Sequence, residues 1–136
     1  MSHLKCLIVD DDELGRELIV QYLEGIANCD TASNGHEALE LFETSLESET
    51  PYDLIILDLL MPGMDGYETG SMIRQLEKER AVPATCGVHI IIISSVNTPK
   101  EIIQAYMSAQ SAAHLNKPVS PEKLRKTLVT LELVPA

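Results

Sequence analysis

Four consecutive isoleucines, Ile90 to Ile93, and the run Leu54 to Leu57 constrain this chain more than any other feature. Neither run alternates with polar residues, so a strand made from either one buries both faces. A sheet buried on both faces needs helices on both sides. The intervening segments supply them. Apolar runs of strand length alternate with stretches whose apolar residues recur at helical spacing.

The first apolar run is Leu4 to Val9, followed by Leu14, Leu18, Tyr22 and Ile26 on one predicted helix face. A short second strand is expected around Cys29 to Ala32. Asn34 then caps a helix with Glu37 at the third position, and Ala38, Leu41, Phe42 and Leu46 line its apolar side. After the Leu54 run, Asp65 and Glu68 repeat the capping pattern before Met72, Ile73 and Leu76. Residues 77 to 87 read as a helix end and a long loop. Thr98-Pro-Lys-Glu101 is a strong helix start after the isoleucine strand, with Pro at the first helical position. Ala112 to Leu115 is a weak fifth strand, and Ser120-Pro121 opens a last helix carrying Leu124, Leu128 and Leu131. Strand and helix therefore alternate five times. We expect one domain over residues 1–136, with a five-stranded parallel sheet covered by helices on both faces. Right-handed crossovers favour the flavodoxin-like strand order 2-1-3-4-5.

Composition limits the function. The formal charge of −11 opposes non-specific nucleic-acid binding and attraction to anionic membranes, so neither partner is expected. No apolar run approaches the ~20 residues that span a bilayer. Cys6, Cys29 and Cys86 are few and widely spaced, and read as buried reduced thiols of a cytoplasmic protein. Tyr106 and Met107 read as packing residues. His3, His36 and His89 have no ligand spacing.

In such sheets the site lies beyond the carboxyl ends of the strands. The first strand ends in Asp10, Asp11 and Asp12, the third in Asp58 and the fourth in Ser94 and Ser95. Asn116-Lys117-Pro118 follows the fifth. Clustered carboxylates oppose one another unless a cation sits among them. Their oxygens suit Mg²⁺. A lysine and a hydroxyl beside them suit a phosphoryl group, and Asp58, at the centre, suits the role of nucleophile. Asp12 reads as the cap of the first helix.

These residues, in this order and spacing, resemble a response-regulator receiver domain of two-component signalling, of the single-domain chemotaxis-regulator type. The resemblance rests on the acidic pair in LIVDD, the stretch DLLMPGMDG, the hydroxyl after IIII, and Lys117-Pro118. It implies that Asp58 accepts a phosphoryl group from a histidine kinase or a histidine phosphotransfer protein. Asp10, Asp11, Asp58 and the backbone carbonyl of Leu60 would hold Mg²⁺. Lys117 and Ser94 would bind phosphoryl oxygens, and the Lys117–Pro118 bond would be cis. The implied protein is not an enzyme on a separate substrate. It is a signalling domain that catalyses its own phosphorylation and dephosphorylation. A downstream protein target, or a second copy, would meet the fourth helix, fifth strand and fifth helix.

The chain departs from the family pattern at His114, where the family has the aromatic that switches rotamer with the hydroxyl residue. Val119 replaces a commoner aromatic. Leu60 and Val96 bring no group that could orient water onto an acyl phosphate, so slow self-dephosphorylation is expected. Two other readings stay open. One is a phosphatase of the haloacid dehalogenase type with Asp10 and Asp12 as its pair, although Glu13-Leu14 breaks that motif. The other is a receiver that binds partners without phosphate. An EF-hand is disfavoured because Gly15-Arg16 falls off its register.

Overall fold

The computed structural model describes residues 4–95 and 98–135. Five parallel strands lie in the order β2-β1-β3-β4-β5: β1 (Leu4–Val9), β2 (Ala27–Ala32), β3 (Leu54–Asp58), β4 (His89–Ser94) and β5 (Ala113–Asn116). Between and after them run α1 (Glu13–Tyr22), α2 (Gly35–Leu46), α3 (Gly66–Glu79), α4 (Pro99–Ala109) and α5 (Pro121–Thr130). A single 3-10 turn, Ala84–Cys86, sits in the long loop before β4. Strand order and element order are those expected.

The two-sided strands split the core in two. Leu7, Val9, Ile55, Leu57, Ile90 and Ile92 face α2, α3 and α4, where they meet Phe42, Ile73, Ala105 and Ala109. Cys6, Ile8, Leu54, Ile56, Ile91 and Ile93 face α1 and α5, where they meet Ile19, Leu23, Leu124 and Leu128. Alternate residues of each strand serve opposite cores, as the period of two requires.

Each α-helix starts at a side-chain cap. Asp12, Asn34, Asp65, Thr98 and Ser120 accept from the backbone N–H of Gly15, Glu37, Glu68, Glu101 and Lys123 respectively. Glu37 returns its carboxylate to the backbone N–H of Ser33, one residue before the cap.

Three expectations need correction. The first-helix residues Leu14 and Leu18 are 64% and 39% exposed, and the core stripe of α1 is Ile19 and Leu23 instead. A strict spacing of four drifts around a 3.6-residue helix, so the stripe reaches the core only at its later members, Tyr22 and Ile26, which pack against the same cluster. Tyr106 and Met107 are exposed, because Ala105 and Ala109 take the buried face of α4. Of the thiols only Cys6 is buried; Cys29 is half-buried on β2 and Cys86 is exposed.

Candidate functional site

Register brings the strand ends together. Val9 pairs with Leu57, so the next residues, Asp10 and Asp58, are neighbours. Asp58 pairs with Ile93, and Ser94 with Asn116, so the hydroxyl and Lys117 lie on the other side of Asp58. Asp10, Asp58 and Ser94 are 1%, 3% and 0% exposed, whereas Asp11 is exposed. The Lys117 backbone N–H donates to the Ser94 carbonyl at 2.9 Å, and the Lys117–Pro118 bond is cis.

Lys117 is the cation inside the carboxylate cluster. Its Nζ lies 3.1 Å from Asp10 Oδ2 and 3.2 Å from Asp58 Oδ2. Burial, followed by the charge of Asp10, pushes the Asp58 carboxyl up to about 6, against the opposing pull of Lys117. Burial works to lower the Lys117 ammonium, but the two carboxylates outweigh it and raise it above its ordinary value.

Local structure fixes both acids. The backbone N–H of Asp12 donates to Asp10 Oδ1 at 3.0 Å, and that of Leu60 donates to Asp58 Oδ1 at 3.4 Å. Asp10 Oδ2 is buried and accepts no hydrogen bond from the described residues; the nearby ammonium of Lys117 is its compensation. Asp10, Asp11 and Asp58 each offer a carboxylate oxygen, and these oxygens lie within 4.8 Å of one another. An all-oxygen set of three carboxylates fits a hard dication. Beside it a cleft of about 300 Å³ runs between α1 and the Lys117-Pro118-Val119 segment, and the exposed Leu14 and Leu18 form part of its wall.

Three supporting residues escaped the sequence reading. Arg16 Nη1 donates to the Asp10 carbonyl at 2.7 Å, which ties α1 to the end of β1. A Cβ on Gly15 would stand 3.0 Å from Asp10 Oδ2, so a side chain there would crowd the cluster. A Cβ on Gly66 would stand 2.5 Å from the Asp58 carbonyl and 2.7 Å from Leu59 Cα. Only glycine lets α3 start this close to the strand end that carries Asp58. Gly66 follows an obvious helix cap, which was the available signal; the need for a bare backbone is a tertiary fact.

Ser94 and His114 sit on adjacent strands. Both His114 ring nitrogens are buried and have no hydrogen-bond partner among the described residues. Leu60 exposes 54% of its surface at the rim of the site. Val96 lies outside the described residues.

A response regulator receiver domain model matches residues 6–129. The chain belongs to the receiver domain family. It is 35% identical over 124 residues to the transcriptional regulatory protein ResD of Bacillus subtilis, covering 90% of this chain and 45% of ResD. It is 33% identical over 124 residues to the two-component response regulator ARR22 of Arabidopsis thaliana, covering 89% of this chain and 78% of that protein. This receiver spans half or less of the length of the Bacillus relatives that it matches. Among solved structures, the receiver domain of the Arabidopsis thaliana histidine kinase CKI1 complexed with Mg²⁺ and BeF₃⁻ superposes with a TM-score of 0.82 at 28% identity, covering 96% of this chain and 91% of that one. Family membership over this length removes the haloacid dehalogenase alternative. No helix among the described residues is long and apolar enough to cross a membrane.

Proposed function

We propose that this receiver accepts a phosphoryl group on Asp58 from the phosphohistidine of a histidine kinase or phosphotransfer protein, and that this changes a protein-binding surface. The observation that carries the reading is the buried Asp10–Lys117–Asp58 bridge at the ends of β1 and β3. It supports the reading because the Asp58 carboxylate lies beside a counter-charge and beside other carboxylates that could hold a metal.

Asp58 acts as the ionised carboxylate. One of its oxygens attacks phosphorus, the P–N bond of the donor histidine breaks, and the imidazole leaves with the electron pair. Lys117 exchanges its contact with the Asp58 carboxylate for a phosphoryl oxygen, and the Ser94 hydroxyl donates to another. Asp10, Asp11, Asp58 and the Leu60 carbonyl would hold Mg²⁺, which neutralises charge on the phosphoryl oxygens. Support for the metal comes from the donor set here and from the CKI1 receiver crystallised with Mg²⁺.

Ser94 is the sensor, and His114 takes the place of the switching aromatic. The output surface is α4, β5 and α5. There α4 exposes Ile103, Tyr106 and Met107 to solvent, an apolar strip suited to a protein partner or a second copy. Such a role belongs in the cytoplasm, beside the kinase.

The test is incubation with Mg²⁺ and acetyl phosphate, followed by intact mass. The reading expects one added phosphoryl group, absent in Asp58→Asn. A chain that gains none, yet retains a partner, would be a phosphate-independent receiver.

A further inference from the structure

We propose that Cys6 and Cys29 form a dithiol that hydrogen peroxide converts reversibly to a disulfide, a modification site remote from the acidic cluster. The inference does not depend on the phosphoacceptor reading. Cys6 and Cys29 are register partners on the neighbouring parallel strands β1 and β2. Paired strands lie about 4.8 Å apart, inside the ~4.4–6.8 Å between Cα atoms that a disulfide spans. Both side chains point to the same side of the sheet, since Cys29 packs against the cluster that holds Cys6, Ile8 and Leu23.

The two thiols are not equivalent. β2 is an edge strand and Cys29 is half-buried, so a small oxidant reaches it from solvent. Cys6 is wholly buried in the sheet beneath it. The neighbouring Cys6 thiol holds the Cys29 thiol below its ordinary value, against the opposing effect of burial, whereas burial first and Cys29 second hold Cys6 well above. Cys29, the more accessible and more acidic thiol, is therefore the attacking thiolate, and Cys6, its register partner, the resolving thiol. Cys86, exposed on the 3-10 turn, lies in a different part of the fold.

The chemistry needs only peroxide. The Cys29 thiolate attacks one peroxide oxygen, the O–O bond breaks, and the departing hydroxide takes a proton to give water and a Cys29 sulfenic acid. The Cys6 sulfur then attacks the sulfenyl sulfur. Hydroxide leaves with the Cys6 proton as a second water, and the S–S bond forms. Both sulfurs together lose two electrons, which the peroxide gains.

The experiment uses the folded chain carrying Cys86→Ser, which prevents cross-linking between molecules. After treatment with stoichiometric hydrogen peroxide and alkylation of remaining thiols, the intact mass should fall by two hydrogens with no alkyl group added. A tryptic digest should join the peptide that begins at Cys6 to the one that carries Cys29, and dithiothreitol should separate them. With Cys6→Ser added, Cys29 should gain oxygen instead. The proposal is overturned if Cys29 gains oxygen while Cys6 is present, or if both thiols remain alkylatable after excess peroxide. Should Cys6→Ser not fold, the Cys86→Ser chain alone decides between these outcomes.

Discussion

Removing the charge of Asp58 should stabilise the metal-free protein at neutral pH, and the gain should shrink in acid. The folded-state carboxyl titrates at about 6, against 3.8 for an unperturbed one. The folded protein thus holds a proton that the unfolded chain releases. Stability from this group is fully present below pH 3.8 and is lost as pH rises through about 6. Two units are worth roughly 3 kcal/mol at 1.36 kcal/mol per unit. The cleft is open and Lys117 is partly exposed, so solvent screening reduces this to about 1–2 kcal/mol. Asp58→Asn keeps the shape and removes the titration. We expect the variant, relative to the parent, to gain about 1 kcal/mol between pH 4.5 and pH 7.5 in EDTA, measured by urea unfolding. Comparing the two proteins at both pH values cancels the other acids and any pH-independent effect of the amide. A relative stability that stays flat, or falls as pH rises, would refute the claim that burial and Asp10 hold the Asp58 proton.

Three further outcomes follow from the same geometry. Millimolar Mg²⁺ should raise the melting temperature, and Asp11→Ala should abolish that rise; because Asp11 is exposed, the same change should shift the metal-free melting point by no more than about 0.5 kcal/mol equivalent. Leu60→Asn should speed loss of the phosphoryl group by roughly tenfold, read as acyl-phosphate lifetime by intact mass, because an amide can orient attacking water where leucine cannot. An unchanged lifetime would show that Leu60 does not govern water access. His114→Phe should raise stability by about 1–2 kcal/mol, since it removes two buried nitrogens with no described partner; a lower melting temperature would mean that the imidazole is satisfied.

The sheet was legible because β3 and β4 carry no polar alternation. Ile90 to Ile93 and Leu54 to Leu57 admit little besides a two-sided parallel strand, and the five caps announce their helices locally. Strand order then brings Asp10, Asp58, Ser94 and Lys117 to one edge without knowledge of any side-chain contact. What stayed hidden depends on the third dimension. The spacing of Leu14 and Leu18 cannot show which side of α1 meets the sheet, and the pair lines the cleft rather than the core. The acids were expected to repel until a metal arrived. Lys117 offsets part of that repulsion between the buried pair, Asp10 still raises Asp58, and Asp11 stays in solvent, where repulsion is weak. The bare backbones at Gly15 and Gly66, and the register of Cys6 with Cys29, likewise appear only once distant segments meet.

The central claim, that Asp58 forms the acyl phosphate, is tested most directly by locating the phosphoryl group. The protein would be treated with Mg²⁺ and acetyl phosphate, reduced with borohydride, which converts an aspartyl phosphate to homoserine, and sequenced by mass spectrometry. The account predicts homoserine at position 58 alone, dependent on Mg²⁺. Homoserine at position 10 or 11, or phosphorylation that leaves Asp58 intact, would contradict it.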